Sequence, residues 1–188
     1  MSNSTKELSL SFKKLKFISQ DQFKEYKDLQ KLMLNENEIA LIDSRAFQGL
    51  VCLRELYLYK NKLTKIEGEL FKGLSKLEKL SLRENEIALI DSRAFQGLVC
   101  LRELTLSSNK LTTLSRNLFI SLKNPAAILL DFNNFRLDYL SFFNINSFSD
   151  PEREKIISNW ISVNKLPYLS DLNIFLEQFS GLSFSLFL

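Results

Sequence analysis

Residues 53–76 read LRELYLYKNKLTKIEGELFKGLSK, and the reading of this stretch decides the fold. Leu56 and Leu58 alternate around Tyr57, which sends one side of a short strand inward. Asn61 stands where the chain turns off that strand, where its amide can satisfy backbone groups that would otherwise be buried unpaired. Leu63, Ile66 and Leu74 continue the apolar set, Phe71 fills the far side of the coil, and Gly73 follows two residues later at a turn. Outward from this stretch the pattern repeats. Copies of 24 residues begin at Thr5, Leu29, Leu53, Leu77 and Leu101, with a degenerate sixth at Pro125. The copy at Leu101 gives Leu104, Leu106, Asn109, Leu111, Leu114, Phe119 and Leu122.

The recurring columns state what each copy must do. Asn37, Asn61, Asn85, Asn109 and Asn133 form one column, and Phe23, Phe47, Phe71, Phe95 and Phe119 another. Gly49, Gly73 and Gly97 mark turns. No single copy could bury its apolar face alone, but stacked neighbours share one core. The pattern LxxLxLxxNxLxxLxxxxFxxLxx resembles the leucine-rich repeat family in its typical 24-residue class, over about Thr5 to Phe135. That resemblance implies a curved solenoid with short parallel strands on the concave face, irregular convex loops and a role as a protein-binding module. Thr5 and Lys13 replace the first Leu and the Asn, so the first copy reads as an end repeat. The cysteine-rich caps of many extracellular members are absent.

After the degenerate repeat the sequence changes character. Ser149, Asp150, Pro151 and Glu152 read as a helix start, with Ile156, Ile157, Trp160 and Ile161 at helical spacing. A second helix is expected from about Ser170, with Leu172, Phe175, Leu176 and Phe179 on one face and Gly181 as its stop. The expectation is therefore an α/β chain: a repeat solenoid over 1–140 and a helical C-terminal cap or tail over 141–188.

Composition narrows the function. The chain has 188 residues, 45% apolar and 25% charged, as expected of one folded array. Its net charge of +3 advertises neither nucleic acid nor an anionic membrane. It contains no His, which removes the commonest general base and the commonest zinc ligand. Two Cys cannot form a four-thiolate site, and no phosphate-cradling or dinucleotide motif occurs. No catalysis and no cofactor are expected. No stretch of 18 apolar residues suggests membrane insertion. Met1 to Gln30 has no apolar core like that of a secretory signal, so an exported protein would be a longer chain or use another route. The family class leans extracellular or cell-surface, and the missing signal and caps lean the other way. Lys13, Lys14 and Lys16 read as a solvated basic face. The sequon at Asn3 matters only if the chain is exported.

One internal duplication points to a binding face. Residues 36–56 and 84–104 are identical. Cys52 and Cys100 are copies of one event, two repeats and roughly 10 Å apart, and read as packed free thiols. Across 29–66 and 77–114, eight of 38 pairs differ, and six of these lie in the strand segment. They are Gln30/Glu78, Met33/Ser81, Asn35/Arg83, Tyr57/Thr105, Tyr59/Ser107 and Lys60/Ser108. Convex residues such as Ser44 and Arg45 are unchanged at Ser92 and Arg93. Five of these six occupy the fifth, seventh and eighth places of the repeat, outward or on the rim. This concentration favours a concave site made of Met33, Asn35, Tyr57, Tyr59, Lys60 and Arg83 for a protein ligand. Glu7, Lys31, Glu55, Lys79 and Glu103 run beside it as an alternating row that fixes register and leaves little net field. Phe12 and Phe132 are expected under the terminal segments. Self-association, or the ectodomain of a truncated cell-surface receptor, is the alternative.

Overall fold

The computed structural model describes residues 5–112, together with Leu118, Leu122, 127–129 and Asn133. Each 24-residue copy makes one rung of a coil. The first strand of each rung has three residues: β1 (Glu7–Ser9), β3 (Lys31–Met33), β5 (Glu55–Tyr57), β7 (Lys79–Ser81), β9 (Glu103–Thr105) and β10 (Ala127–Leu129). They join in chain order as one parallel six-stranded sheet on the concave face. Its register places Leu8 beside Leu32, then Leu56, Leu80 and Leu104, a slip-free 24-residue step. Shorter strands follow the Asn turn: β2 (Phe17–Ile18) pairs with β4 (Leu41–Ile42), and β6 (Lys65–Ile66) with β8 (Leu89–Ile90).

Burial follows the pattern residue by residue. Leu32, Leu56, Leu80 and Leu104 point inward at 0–1% exposure, while their strand neighbours, Thr105 apart, stay at least partly exposed. The Phe column forms a stack in which Phe23, Phe47, Phe71 and Phe95 lie nearly parallel, with ring centroids 6.1–6.2 Å apart. The Asn column ties rungs together. Asn61 donates from Nδ2 to the carbonyls of Leu58 in its own rung and Leu34 in the preceding one, and its Oδ1 accepts from the Ile39 amide. Asn85 and Asn109 repeat this arrangement one and two rungs on. Just before the Asn, the chain turns through a left-handed residue in every described rung: Phe12, Glu36, Lys60, Glu84 and Ser108 have φ of 53–59°. None is glycine, so each turn carries roughly 1–2 kcal/mol of backbone cost that the surrounding bonds must outweigh.

The α/β expectation is corrected here. Every regular element among the described residues is a strand, and no helix occurs among them. The convex crossings show why. In residues 43–53 the amides of Ala46, Gln48, Leu50 and Leu53 each reach the carbonyl three residues earlier, a chain of turns. Gly49, at φ +90°, breaks any helical continuation. The helical C-terminal cap expected over 141–188 lies outside the described residues, as do Phe119 and Phe132. Two smaller expectations also change. Phe12 is 68% exposed, because its left-handed backbone points the ring away from the sheet instead of beneath a terminal segment. Cys100 is exposed and Cys52 half-buried, both free, so neither is a packed core thiol.

Candidate protein-binding face

The outward side chains of β3, β5 and β7 assemble the centre of the concave sheet. Met33, Tyr57 and Ser81 are register partners, so Tyr57 stands between a flexible thioether and a small hydroxyl. Tyr59 meets Tyr57 edge to face, with centroids 6.4 Å apart and planes at 90°, a favoured geometry for two rings. The Tyr57 hydroxyl donates to Glu55 Oε2 at 2.7 Å. Glu55 also holds Lys31 at 3.5 Å, and the Lys31 ammonium sits 5.7 Å from the Tyr57 ring centre. Burial, followed by the hydrogen bond and charge of Glu55, the charge of Glu103 and Tyr59, pushes the Tyr57 phenol well above its ordinary range. The ring is thus fixed, neutral and half-buried before anything binds.

The other expected residues divide. Lys60 is exposed and reaches Glu36 at 3.8 Å, and Arg83 is exposed and paired with Glu84 at 2.8 Å. Both border the tyrosine pair and keep their charges balanced. Asn35 differs. It occupies the outward register but is only 6% exposed, and its Oδ1 accepts from the Ser11 hydroxyl at 2.8 Å. It braces the face instead of presenting a free amide. On the far side of Tyr57, Ser81 and Thr105 share a 2.8 Å hydroxyl bond, so the aromatic pair steps down to a low shelf.

Sequence reasoning missed part of this surface. Glu55 was read only as a charge in a row, yet it also orients Tyr57. The alternation extends beyond that row too. Ion pairs 24 residues apart join Glu36 with Lys60, Glu38 with Lys62, Arg54 with Glu78 and Glu86 with Lys110. The signal was present, since odd and even rungs carry opposite charges in several columns at once. On the convex side, a shallow depression of about 700 Å³ is lined by Arg45, Gln48, Gly68, Glu69, Lys72 and Arg93. Its charges largely answer one another, with Lys72 2.9 Å from Glu69. Among the described residues no group of three or more His, Cys, Asp or Glu could hold a metal ion. No helix long and apolar enough to cross a membrane occurs among them.

A coil of strand, Asn turn and convex loop, stacked through leucine, asparagine and phenylalanine columns, defines a leucine-rich-repeat solenoid. The chain belongs to the leucine rich repeat family, which matches residues 3–63 and 53–111. No curated protein matches it. Among solved structures it is similar to a chain in the structure of the Toll–Spatzle complex, a molecular hub in Drosophila development and innate immunity. Identity is 25% and the TM-score 0.55, over 67% of this chain and 19% of that one. This chain therefore spans about a fifth of the length of the structure it resembles.

Proposed function

We propose that the chain is a non-catalytic protein-recognition module that binds a protein through its concave sheet, centred on Met33, Tyr57, Tyr59, Lys60 and Arg83. The observation that carries this reading is the Tyr57–Tyr59 pair. Its two rings are held edge to face on the outward side of a rigid sheet, one of them anchored by Glu55. Tyrosine and arginine at the centre of a face are the residues that dominate binding energy at protein interfaces. Anchoring them beforehand reduces the ordering cost of association. The similar structure is a complex of two proteins, which supports a protein as ligand. The balanced ion pairs argue against a phosphate track. Affinity capture tests the reading: wild type is run beside a folded variant with Tyr57, Tyr59 and Arg83 all changed to Ala. A partner retained by wild type and lost from the variant supports the concave site, and that partner's compartment assigns this chain's. A partner held equally by both moves the site elsewhere.

A further inference from the structure

The face that carries β2, β4, β6 and β8 has no role in the concave site. Its outward column reads Phe17, Leu41, Lys65 and Leu89, and the three apolar members are 57%, 58% and 63% exposed. Beside this column, at the position after each turn asparagine or its equivalent, runs Lys14, Glu38, Lys62 and Glu86. Glu38 and Lys62 pair at 3.8 Å, and Glu86 pairs with Lys110 at 2.7 Å. All four of these side chains keep 40–58% exposure, enough for further partners.

We propose that this face binds a second copy of the chain about a two-fold axis running parallel to the short strands, between β4 and β6. Such an axis reverses rung order and keeps each column facing itself. Rung one then meets rung four, and rung two meets rung three. Lys14 faces Glu86 of the second copy and Glu38 faces Lys62, so opposite charges meet at every position, twice over by symmetry. Phe17 faces Leu89, and the Lys65 stem covers Leu41. An axis through a rung would set Lys62 against Lys62, which like-charge repulsion disfavours. Moving the axis one step on, between rungs three and four, removes the Phe17–Leu89 contact. The small sheets show the same symmetry: among the described residues β2 pairs only with β4 and β6 only with β8, and the axis falls in the gap between the two pairs.

Sedimentation of the full chain over a wide concentration range tests this. A reversible dimer is expected. Changing Phe17 and Leu89 to Ser should weaken it about a hundredfold, through loss of apolar burial at both symmetric contacts. A basic variant (Glu38→Lys, Glu86→Lys) and an acidic variant (Lys14→Glu, Lys62→Glu) should each weaken it about tenfold or more. Mixed one to one, the two should form a heterodimer, a recovery that misfolded chains could not give. Tyr57→Ala with Tyr59→Ala should leave the dimer intact, which separates this face from the concave one. A wild type that stays monomeric at its highest attainable concentration overturns the proposal. So does a dimer indifferent to the Ser variant, or a charge-variant mixture that stays monomeric.

Discussion

Rungs two and four share a stretch of 21 identical residues, 36–56 and 84–104, that runs on into the strand of the rung after each, and the structure treats them alike wherever the repeat alone decides. The Arg45 amide donates to Asp43 Oδ1 at 2.8 Å, and the Arg93 amide to Asp91 Oδ1 at the same distance. Gly49 and Gly97 turn at φ 90° and 85°. Where the two rungs part company, a few residues upstream on the strand, their surfaces diverge. Met33 and buried Asn35 in one become Ser81 and exposed Arg83 in the other. The difference teaches that scaffold and surface are written in separate columns, so the second can change without disturbing the first.

Phe71 stands between these twin rungs, stacked on both Phe47 and Phe95, and removing it should break their equivalence most severely. Phe71→Ala should cost about 3–5 kcal/mol through loss of a buried ring and the cavity left behind. Chemical denaturation would show the loss, and an unchanged midpoint would refute the stacked-rung register. Next in size, Asn37→Ala and Asn85→Ala should each cost about 2–3 kcal/mol, because each strands buried backbone groups in two rungs. The twin rungs predict similar losses. A gap of more than about 1 kcal/mol between them would break the comparison.

Surface changes should be milder. Tyr57→Ala with Tyr59→Ala should alter stability by about 1 kcal/mol or less, since both rings are partly solvated. A large loss would place them in the core and remove the concave site. Tyr57 also carries a pH signature. Its phenol binds its proton more tightly folded than unfolded, so its share of stability is complete below the ordinary tyrosine range and falls as pH rises through and above it. Ultraviolet titration should show a phenol ionising above the ordinary tyrosine range, and Tyr57→Phe should abolish that late phase. The smallest effect belongs to the left-handed column. Ser108→Gly should stabilise by about 0.5 kcal/mol, because relief of the positive φ slightly exceeds the added freedom of the unfolded chain. Thermal melting would check its sign.

Most of the fold was legible because its decisive residues recur. A column such as Leu32, Leu56, Leu80 and Leu104 states both spacing and burial. The Asn column states a turn and the bonds that close it. Alternation tells which way a side chain leaves the strand, but not what it meets from the next rung, and that is where the reading fell short. Asn35 leaves outward as expected, yet meets Ser11 of the preceding rung and is covered. Tyr57 lies on β5 and is partly exposed, but its bond to Glu55 depends on a rotamer that spacing cannot specify. Phe12 was expected beneath a terminal segment, whereas a left-handed turn shared by five rungs sets its direction. The α/β class rested on helices read from residues 149–181, outside the part that the repeat dictates.

The asparagine column has a consequence for how such a coil comes into being. Ile39 has its amide answered by Asn61 of the following rung, and Leu63 waits in the same way for Asn85. The Leu34 and Leu58 carbonyls, bonded by their own asparagines, gain a second donor there. A rung is therefore chemically finished only by its successor, never by itself. On the ribosome the successor is always the part made next, so synthesis and completion run in one direction, and the unfinished end travels with the growing tip of the chain.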